Sequence, residues 1–417
     1  MFKRIVRIWP SEVDGSIEAP PSKSYTHRAL FAALLSPGES RIDNALFCGD
    51  TLASIDAVRV FGGQVSLPSV RGVERIPRRI GVVNCRRSAS TLRFSMGVAA
   101  LKRGATVFIG PFSLLRRPIK PLEKALKELG VKVYSRSGYP PVCVVGPVKR
   151  KKVRVDGSLS SQYVSSLLLI SPLADLEIEV ENLTSKPYVD ATLYAMEAFG
   201  VRVMREGYRW FKPLDSEYRP AHFKIPGDYS SASFMLVAGA IAGRVRVYGL
   251  DHKAPQADQK IVDVLEMCGA RVYVSSSWVE VATSSLDSFE YDVSDCPDLA
   301  PILAVLAAYT SGTCRLDSVS RLRYKESDRL RAIVSNLRAL GIEAEAERGS
   351  LIVKGREGVK GGRVYSFKDH RVAMAFAVAG LGAKRFVEIV EPHIVSDSYP
   401  SFFRDLALIG GVVEIAG

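Results

Sequence analysis

Six polar clusters along the chain, each with hydroxyl, basic or acidic side chains, stand just ahead of an apolar run. In the first, Lys23 and Arg28 lie five residues apart; lysine can carry a mobile proton, and arginine can clamp a carboxylate with two parallel hydrogen bonds. Such side chains suit a small anionic ligand. The clusters are SKSYTHR (22–28), RRSASTLR (86–93), SLSSQY (158–163), GDYSSAS (227–233), DCPDLAP (295–301) and FKDHR (367–371).

The runs behind these clusters predict buried helices, because they are apolar nearly all round and rich in Ala and Gly. The first turn of a helix exposes free N–H groups and the positive end of the helix dipole, which together favour anions. Six such starts in one chain make a small anionic substrate the first hypothesis. The runs are RALFAALL, FSMGVAAL, VSSLLLI, FMLVAGAIAG, ILAVLAAY and VAMAFAVAG.

Acidic residues in two places, one inside the fifth cluster and one outside the six clusters, could move protons. Asp298 stands between two prolines at the start of a predicted buried helix, where a carboxylate serves as a cap or as a catalytic base. The segment RLRYKESDR (321–329) opens an amphipathic helix, so its charges also fit surface ion pairs. His370 opens another buried helix, where a lone histidine is more often structural than catalytic.

The elements that must position these clusters repeat along the chain. Six glycines, spaced 68 to 72 residues apart, each follow a helical pattern and precede a β-branched segment. This pattern predicts a left-handed helix C-cap followed by a strand. One supersecondary unit is therefore used six times, in the order buried helix, turn, strand, second helix, glycine, strand. The glycines are Gly62, Gly130, Gly200, Gly269, Gly341 and Gly410.

Domain boundaries are predicted where Pro and Gly gather, at EAPPS (18–22) and IPGD (225–228). Repeats one to three then form a domain over 20–227. Repeats four to six form a second domain from 1–19 plus 228–417, with the leading strand Phe2–Ile8 packed into it. A substrate bound between two domains and enclosed by hinge closure is a common arrangement, and we expect it here.

Composition limits the class of protein. The net charge of +13 suits phosphate and carboxylate ligands, and would also suit nucleic acid. Six dispersed cysteines without a C-x-x-C pair argue against zinc fingers and a disulfide framework. No apolar run reaches about 18 residues, and MFKRIVRIWP has no signal-peptide core. We therefore expect a cytoplasmic protein with no membrane partner.

Taken together, the motifs resemble those of the enolpyruvyl transferases. PPSKSYTHR, SSQ, SKPYVD, CPDLAP, RYKESDR and DHRVAMAF occur in that family's order over essentially the whole chain. KESDR and SKPY are most similar to the branch that acts on shikimate 3-phosphate. The resemblance implies an α/β fold: a two-domain inside-out α/β barrel of six βαβαββ repeats, three per domain. Its buried parallel helices point their N-termini at the interdomain cleft.

The resemblance also implies a reaction in aromatic amino acid biosynthesis, the shikimate pathway. The enolpyruvyl group of phosphoenolpyruvate is transferred to the 5-hydroxyl of shikimate 3-phosphate. Phosphate is released by addition and elimination through a tetrahedral intermediate. The implied partners are these two small molecules. We expect no metal, no cofactor and no nucleic acid, and a monomeric enzyme.

Residue roles follow from the resemblance in the same way. Asp298 is expected to be the base for the hydroxyl, with Glu326 and Lys23 handling the proton at C3 of phosphoenolpyruvate. The residues expected to bind shikimate 3-phosphate are Lys23, Ser24, Arg28, Ser160, Ser161, Gln162, Ser185, Tyr188, Asp298 and Lys325. Those expected to bind phosphoenolpyruvate are Lys23, Arg87, Ala89, Ser90, Arg117, Gln162, Arg329 and Arg371.

Four differences separate this chain from the family pattern. An Asp is replaced by Pro111, an Asn by Arg321, and a Lys near the C-terminus by Asp397. The last change removes a cation from the phosphoenolpyruvate side. The fourth replaces Gly-Asn-Ser-Gly-Thr by RRSAS (86–90), so we expect Arg86 or Arg87 to restore the charge.

The same RRSAS segment bears on inhibition by glyphosate, which competes with phosphoenolpyruvate in the family. Ala89 stands where the family has a glycine lining the glyphosate site. Its extra methyl group should crowd the inhibitor, so we expect weak glyphosate sensitivity.

Three alternatives stay open from the residues. A sister transferase acting on UDP-N-acetylglucosamine usually carries a cysteine in the loop that here is 110–122, and this loop has none. An RNA 3′-phosphate cyclase uses related repeats, and the positive charge would suit it. A divergent or inactive enolpyruvyl transferase homologue is the third, for which Asp397 is the best argument.

Overall fold

The predicted repeat is confirmed in the computed structural model, which describes residues 5–416. Helices and strands are numbered in chain order. Each of the six polar clusters leads into a buried helix that is apolar on all sides. These helices are α1 (Lys23–Leu35), α3 (Ala89–Leu101), α6 (Gln162–Ala174), α8 (Tyr229–Ala242), α10 (Ala300–Ala308) and α12 (His370–Leu381).

A second set of helices ends at the six glycines. All six glycines have positive φ, between 81° and 108°, a conformation in which a Cβ is penalised, so the predicted left-handed caps are confirmed. The short helix α4 (Phe112–Leu115) precedes the second of these helices. The set is α2 (Gly49–Val60), α5 (Lys120–Glu128), α7 (Pro187–Ala198), α9 (Ile261–Met267), α11 (Arg329–Ala339) and α13 (Phe402–Leu408).

Three four-stranded sheets lie between Pro21 and Pro226, which form one compact unit. In each sheet a parallel pair is followed by an antiparallel hairpin. In spatial order, the strands are β14 (His222–Lys224), β3 (Glu39–Asp43), β5 (Ser69–Arg71) and β4 (Gln64–Ser66); β6 (Gly81–Asn84), β7 (Gly104–Ile109), β9 (Tyr139–Gly146) and β8 (Lys132–Arg136); and β10 (Lys152–Asp156), β11 (Glu177–Glu181), β13 (Trp210–Pro213) and β12 (Val203–Glu206).

The second compact unit combines the described residues up to Pro20 with those from Gly227 onward. It holds three more four-stranded sheets, each with one parallel pair followed by two antiparallel pairings. In spatial order, their strands are β2 (Val13–Glu18), β15 (Gly243–Tyr248), β17 (Trp278–Ala282) and β16 (Arg271–Val274); β18 (Glu290–Asp292), β19 (Thr313–Asp317), β21 (Ser350–Lys354) and β20 (Ala344–Glu347); and β22 (Gly362–Tyr365), β23 (Val387–Val390), β1 (Ile5–Trp9) and β24 (Val412–Ala416).

Strand pairing explains where the chain passes from one unit to the other. β2 precedes α1 in the chain but pairs in parallel with β15, and β14 precedes α8 but pairs in parallel with β3. Each of these strands thus completes a sheet of the unit that the chain is about to leave. β1 pairs with β23 and β24; of the predicted leading strand Phe2–Ile8, residues 2–4 lie outside the described part.

The described residues also form three 3₁₀ helices, at Ala257–Lys260, Val319–Tyr324 and Pro392–Asp397. None of the helices described within 5–416 has both the length and the apolar character needed to cross a bilayer.

Candidate functional site

Lys23 opens helix α1 and forms a sheltered ion pair. Its ammonium lies 2.9 Å from an Oδ atom of Asp50, which is in the first turn of α2. The residue before it, Ser22, takes the N-cap position of α1 with an extended backbone. Asp50 was not among the predicted site residues, because nothing in the sequence shows that α2 begins beside α1.

Arg28 lies one turn further along α1 and is 3% exposed. Its guanidinium donates to the Thr192 hydroxyl and to the backbone oxygens of Ser24 and Tyr188, at 2.8–2.9 Å. These partners are neutral, so they orient the guanidinium without cancelling its charge. Burial lowers the pKa of Arg28 to about 10, which shows that its charge is costly where it stands.

A hydrogen-bonded network joins the starts of helices α3 and α6. Arg93 donates to the Ser160 hydroxyl (3.1 Å) and to Gln162 Oε1 (2.8 Å), and Gln162 Nε2 donates to the Ser90 hydroxyl (2.8 Å). The structure therefore brings three predicted site residues together through Arg93, which was not assigned a role from the sequence. Arg93 also stacks on Tyr163, with its guanidinium 4.8 Å from the ring centroid.

Close packing of α3 on α6 makes this network possible. A Cβ added at Gly97 would lie 2.7 Å from the backbone oxygen of Ser166, so only glycine allows the two helices this approach. The Ser166 hydroxyl donates to the backbone oxygen of Arg93 at 2.6 Å. Helix contact and site geometry thus depend on each other.

The remaining predicted residues of the Pro21–Pro226 unit are sheltered. Ser161 and Ser185 are 3% and 5% exposed, and Ser185 has a left-handed backbone with φ 55°. Arg117 is 6% exposed and precedes α5. Tyr188, in the first turn of α7, is half-buried, and its backbone oxygen is the acceptor for Arg28.

The segment 86–90 places its two arginines differently. Arg86 forms a surface ion pair with Asp56 at 2.9 Å, and both side chains are nearly half exposed. Arg87 is half-buried, and Ala89 begins α3 in a buried position. Ser88 caps α3, accepting from the backbone N–H of Thr91 at 3.1 Å. Arg86, one of the two possible replacements for the missing cation, is thus engaged in a surface ion pair, and Arg87 is the better candidate.

Asp298 is the centre of the second cluster, in the other compact unit. Its carboxylate lies 2.8 Å from Arg329, 3.1 Å from Lys325 and 3.2 Å from Arg371. The Asp298 and Lys325 side chains are 19% and 22% exposed, enough to contact a ligand. The structure thus groups four predicted site residues that are distant in sequence.

Arg329 holds this cluster together from inside. It is fully buried, and besides Asp298 it pairs with Glu326 at 2.6 Å and Asp369 at 2.9 Å. Burial would lower the pKa of Arg329, but Asp369, Glu326 and Asp298 raise it above its ordinary value. Asp369 also caps α12, accepting from the backbone N–H of Arg371 at 3.0 Å. Asp369 was not predicted, because an N-cap Asp carries no signal of a second task.

Electrostatics divide the roles of Asp298 and Lys325. Burial favours the protonated acid, but Arg371, Lys325 and Arg329 hold the pKa of Asp298 well below its ordinary value. Asp298 is therefore a carboxylate at neutral pH. Burial lowers the pKa of Lys325 to about 8, against the opposing effect of Asp298. This ammonium can thus lose its proton near neutral pH.

A buried acid that the sequence did not reveal lies in the same cluster. Asp258 is 2% exposed and accepts a short hydrogen bond from the Ser230 hydroxyl. Burial and the charge of Asp298 raise the pKa of Asp258 to about 6. Arg371 opposes this shift. Within residues 5–416, no group of three or more His, Cys, Asp or Glu side chains is arranged to hold a metal ion.

The two clusters are therefore chemically distinct. The cluster between Pro21 and Pro226 offers sheltered cations, hydroxyls and an amide, suited to an anionic, hydroxylated molecule. The cluster around Asp298 offers a carboxylate with cations of different proton affinity, suited to proton transfer next to anionic groups.

Comparison with known proteins gives these clusters a family. Residues 9–406 match the model of the EPSP synthase (3-phosphoshikimate 1-carboxyvinyltransferase) family. A 3-phosphoshikimate 1-carboxyvinyltransferase from Aeropyrum pernix is 49% identical over 415 residues, which cover 98% of this chain and 96% of that protein. The protein of the same name from Pyrococcus abyssi is 44% identical and covers 95% of both chains.

Solved structures show the same fold at low sequence identity. EPSP synthase from Acinetobacter baumannii superposes with a TM-score of 0.82 at 24% identity, over 99% of this chain and 100% of that one. The enolpyruvyl transferase NikO from Streptomyces tendae gives a TM-score of 0.78 at 16% identity, over 99% of both chains. With a family match over nearly its whole length, the chain belongs to the EPSP synthase family.

Proposed function

We propose that this protein is the transferase that moves the enolpyruvyl group of phosphoenolpyruvate to the 5-hydroxyl of shikimate 3-phosphate. The observation that carries the proposal is the Asp298 carboxylate with Lys325, Arg329 and Arg371 within 3.2 Å. A base for a hydroxyl and cations for phosphate and carboxylate are what this reaction requires. The enzyme serves the shikimate pathway of aromatic amino acid biosynthesis.

The carboxylate of shikimate 3-phosphate is assigned to the guanidinium of Arg28. This guanidinium is buried, its hydrogen-bond partners among the described residues are neutral, and its pKa is lowered to about 10. Its positive charge has lost the stabilisation that water gives, and a bound carboxylate would stabilise it again. Ser24 is adjacent to this guanidinium. The remaining contacts to the cyclohexene ring and the phosphate are assigned to Lys23, Ser160, Ser161, Gln162, Ser185, Tyr188 and Lys325.

Phosphoenolpyruvate is assigned to the cations that lie at buried helix starts. Arg371 is the strongest candidate, since it is 6% exposed and lies in the first turn of α12. Arg329 is fully buried among three carboxylates, so its main contribution is to hold Asp298 and Glu326 in position. The remaining contacts are assigned to Lys23, Arg87, Ala89, Ser90, Arg117 and Gln162.

Asp397 stands where the family has a lysine that binds phosphoenolpyruvate, and we assign Arg87 to supply the missing positive charge. Arg87→Ala should raise KM for phosphoenolpyruvate about tenfold, as expected for one charge-assisted hydrogen bond. Steady-state kinetics on the purified variant measures this, and an unchanged KM would refute the assignment.

The chemistry follows from the charges around Asp298. Asp298 accepts the proton of the 5-hydroxyl while the hydroxyl oxygen attacks C2 of phosphoenolpyruvate. Glu326 and Lys23 deliver a proton to C3 of the same molecule. In the tetrahedral adduct, C3 then returns a proton to Glu326 and Lys23, the bond from C2 to the phosphate oxygen breaks, and phosphate leaves as the enol ether forms. Free Asp298 is a weak base because three cations lower its pKa. Substrate anions share those cations, so the base strengthens when its substrates are bound.

Phosphate release from the purified protein tests this function directly. Release is expected when shikimate 3-phosphate and phosphoenolpyruvate are both present, and not with either alone. Mass spectrometry of the product should show the enolpyruvyl ether. Absence of release under all conditions would favour the divergent, inactive homologue. Size-exclusion chromatography with light scattering tests the further proposal that the enzyme is a monomer, and cell fractionation tests its placement in the cytoplasm.

A further inference from the structure

Lys23 forms an ion pair with Asp50, a residue that has no role in the proposed function so far. The ammonium and the Asp50 carboxylate are 2.9 Å apart, and their side chains are only 14% and 12% exposed. An ion pair this sheltered is weakly screened, so loss of one partner strongly changes the surroundings of the other. Asp50 is therefore in a position to control Lys23.

Local structure fixes Asp50 at the start of α2. There the positive end of the helix dipole stabilises a carboxylate. The next residue, Thr51, locks the turn: its hydroxyl accepts from the backbone N–H of Cys48 (3.0 Å) and donates to the backbone oxygen of Leu46 (2.7 Å). The carboxylate is thus carried on a rigid helix start.

A buried chain of hydrogen bonds ties this helix start to both neighbouring helices. His27 Nδ1 on α1 lies 2.8 Å from the Ser54 hydroxyl on α2, which lies 2.8 Å from the Thr91 hydroxyl on α3. Thr91 in turn donates to the backbone oxygen of Asp50 at 3.3 Å. Burial, with Lys23 nearby, holds the pKa of His27 well below its ordinary value. The imidazole, and with it this series of hydrogen bonds, therefore stays neutral.

The geometry points to Asp50 as a positioning residue that fixes the Lys23 ammonium and offsets its charge until the anionic substrate binds. This inference rests on the proposed function, in which Lys23 contacts both substrates and moves a proton. Asp50 competes with the substrate anions for Lys23, so it weakens their binding. It also keeps the ammonium in one place, which favours proton transfer.

Asp50→Asn separates these two effects. We expect kcat to fall about 10- to 100-fold, because Lys23 loses its fixed position. KM for phosphoenolpyruvate should fall or stay constant, because the competing carboxylate is gone. Asp50→Glu keeps the charge but moves it by one methylene, so it should lower kcat while leaving KM near the wild-type value. A purely structural role would instead lower kcat and raise KM together with a loss of thermal stability.

A double-mutant cycle with Lys23→Ala tests whether Asp50 acts through Lys23. In the Lys23→Ala background, Asp50→Asn should slow single-turnover phosphate release less than twofold. If Asp50→Asn does not fold, Thr91→Val keeps the carboxylate and loosens its support, and should lower kcat in the same direction. The matched control is Asp175→Asn, whose partner Lys151 lies 2.6 Å away in an ion pair that is more than half exposed. It should behave as the wild type.

Two results would overturn the inference. One is an Asp50→Asn enzyme with kcat and KM within twofold of the wild type, or with a raised KM and an unchanged kcat. The other is an equal loss of rate in the wild-type and Lys23→Ala backgrounds. An inactive wild-type enzyme would overturn the proposed function instead, and would be seen before any variant is compared.

Discussion

Two buried arginines of this molecule are compensated in opposite ways. Arg28, in the Pro21–Pro226 unit, donates to one hydroxyl and two backbone oxygens, and its pKa falls to about 10. Arg329, in the other unit, pairs with three carboxylates, and its pKa rises. Both are almost inaccessible to solvent, so burial alone does not set their roles. The partners do.

The difference shows how one repeated unit supplies two kinds of chemistry. Neutral partners leave the charge of a guanidinium available to an anionic ligand. Carboxylate partners neutralise the guanidinium, and it then serves to hold those carboxylates in place. Accordingly, we assign binding of the shikimate carboxylate to the cluster around Arg28 and proton transfer to the cluster around Asp298.

Asp298→Asn should lower kcat about 10²- to 10⁴-fold, the usual range for loss of a general base. KM for both substrates should fall or stay constant, because Lys325 and Arg371 lose a competing anion. Steady-state phosphate release measures both quantities. The control is Asp263→Asn, a surface partner of Lys260 at 2.7 Å, which should not change kcat. A kcat within threefold of the wild type for Asp298→Asn would remove proton transfer from this cluster.

Arg28→Ala should raise KM for shikimate 3-phosphate about 10- to 100-fold, since a hydrogen bond to a charged group contributes about 1.5–3 kcal/mol. KM for phosphoenolpyruvate should change less than threefold. The exposed Arg154, which pairs with Glu179, provides the control Arg154→Ala. A variant that loses kcat but keeps its KM for shikimate 3-phosphate would contradict the binding role.

Ala89→Gly should strengthen inhibition by glyphosate on the order of tenfold, because it removes a methyl group from the buried first turn of α3. The wild-type enzyme is expected to be weakly inhibited. Inhibition constants measured in competition with phosphoenolpyruvate decide this. Potent inhibition of the wild type, or no gain in Ala89→Gly, would show that the methyl group does not face the inhibitor.

KM for shikimate 3-phosphate should rise with pH, reaching about fourfold at pH 8.5, because Lys325 loses its proton with a pKa of about 8. The direction follows from charge: the neutral amine holds phosphate less well than the ammonium. Lys325→Arg should flatten the rise, since a guanidinium stays protonated. A profile that is flat or falling up to pH 9 in the wild type would assign the phosphate to other residues.

Much of the fold could be predicted because its signals are local. A helical pattern followed by glycine and β-branched residues predicts a left-handed cap and then a strand, and the positive φ of the six glycines confirms the caps. Partners distant in sequence could not be read in this way. Nothing in β2 shows that it pairs with β15 rather than with the strand after α1.

The site was predictable to a similar extent. Helix starts with charged side chains identify residues such as Lys23 and Asp298 individually. Their partners come from tertiary packing: Arg93 meets Ser160 only because Gly97 lets α3 approach α6. Asp50 and Asp369 were missed because a carboxylate in the first turn of a helix, such as Asp50, or at its N-cap, such as Asp369, looks like an ordinary capping residue.

Single-turnover phosphate release at saturating concentrations of both substrates tests the division of roles most directly. Arg28→Ala should recover a rate within about threefold of the wild type once shikimate 3-phosphate saturates it, because only binding depends on Arg28. Asp298→Asn should stay at least about 100-fold slower at any concentration. Recovery of Asp298→Asn at saturation, or persistent slowness of Arg28→Ala, would contradict this division of roles.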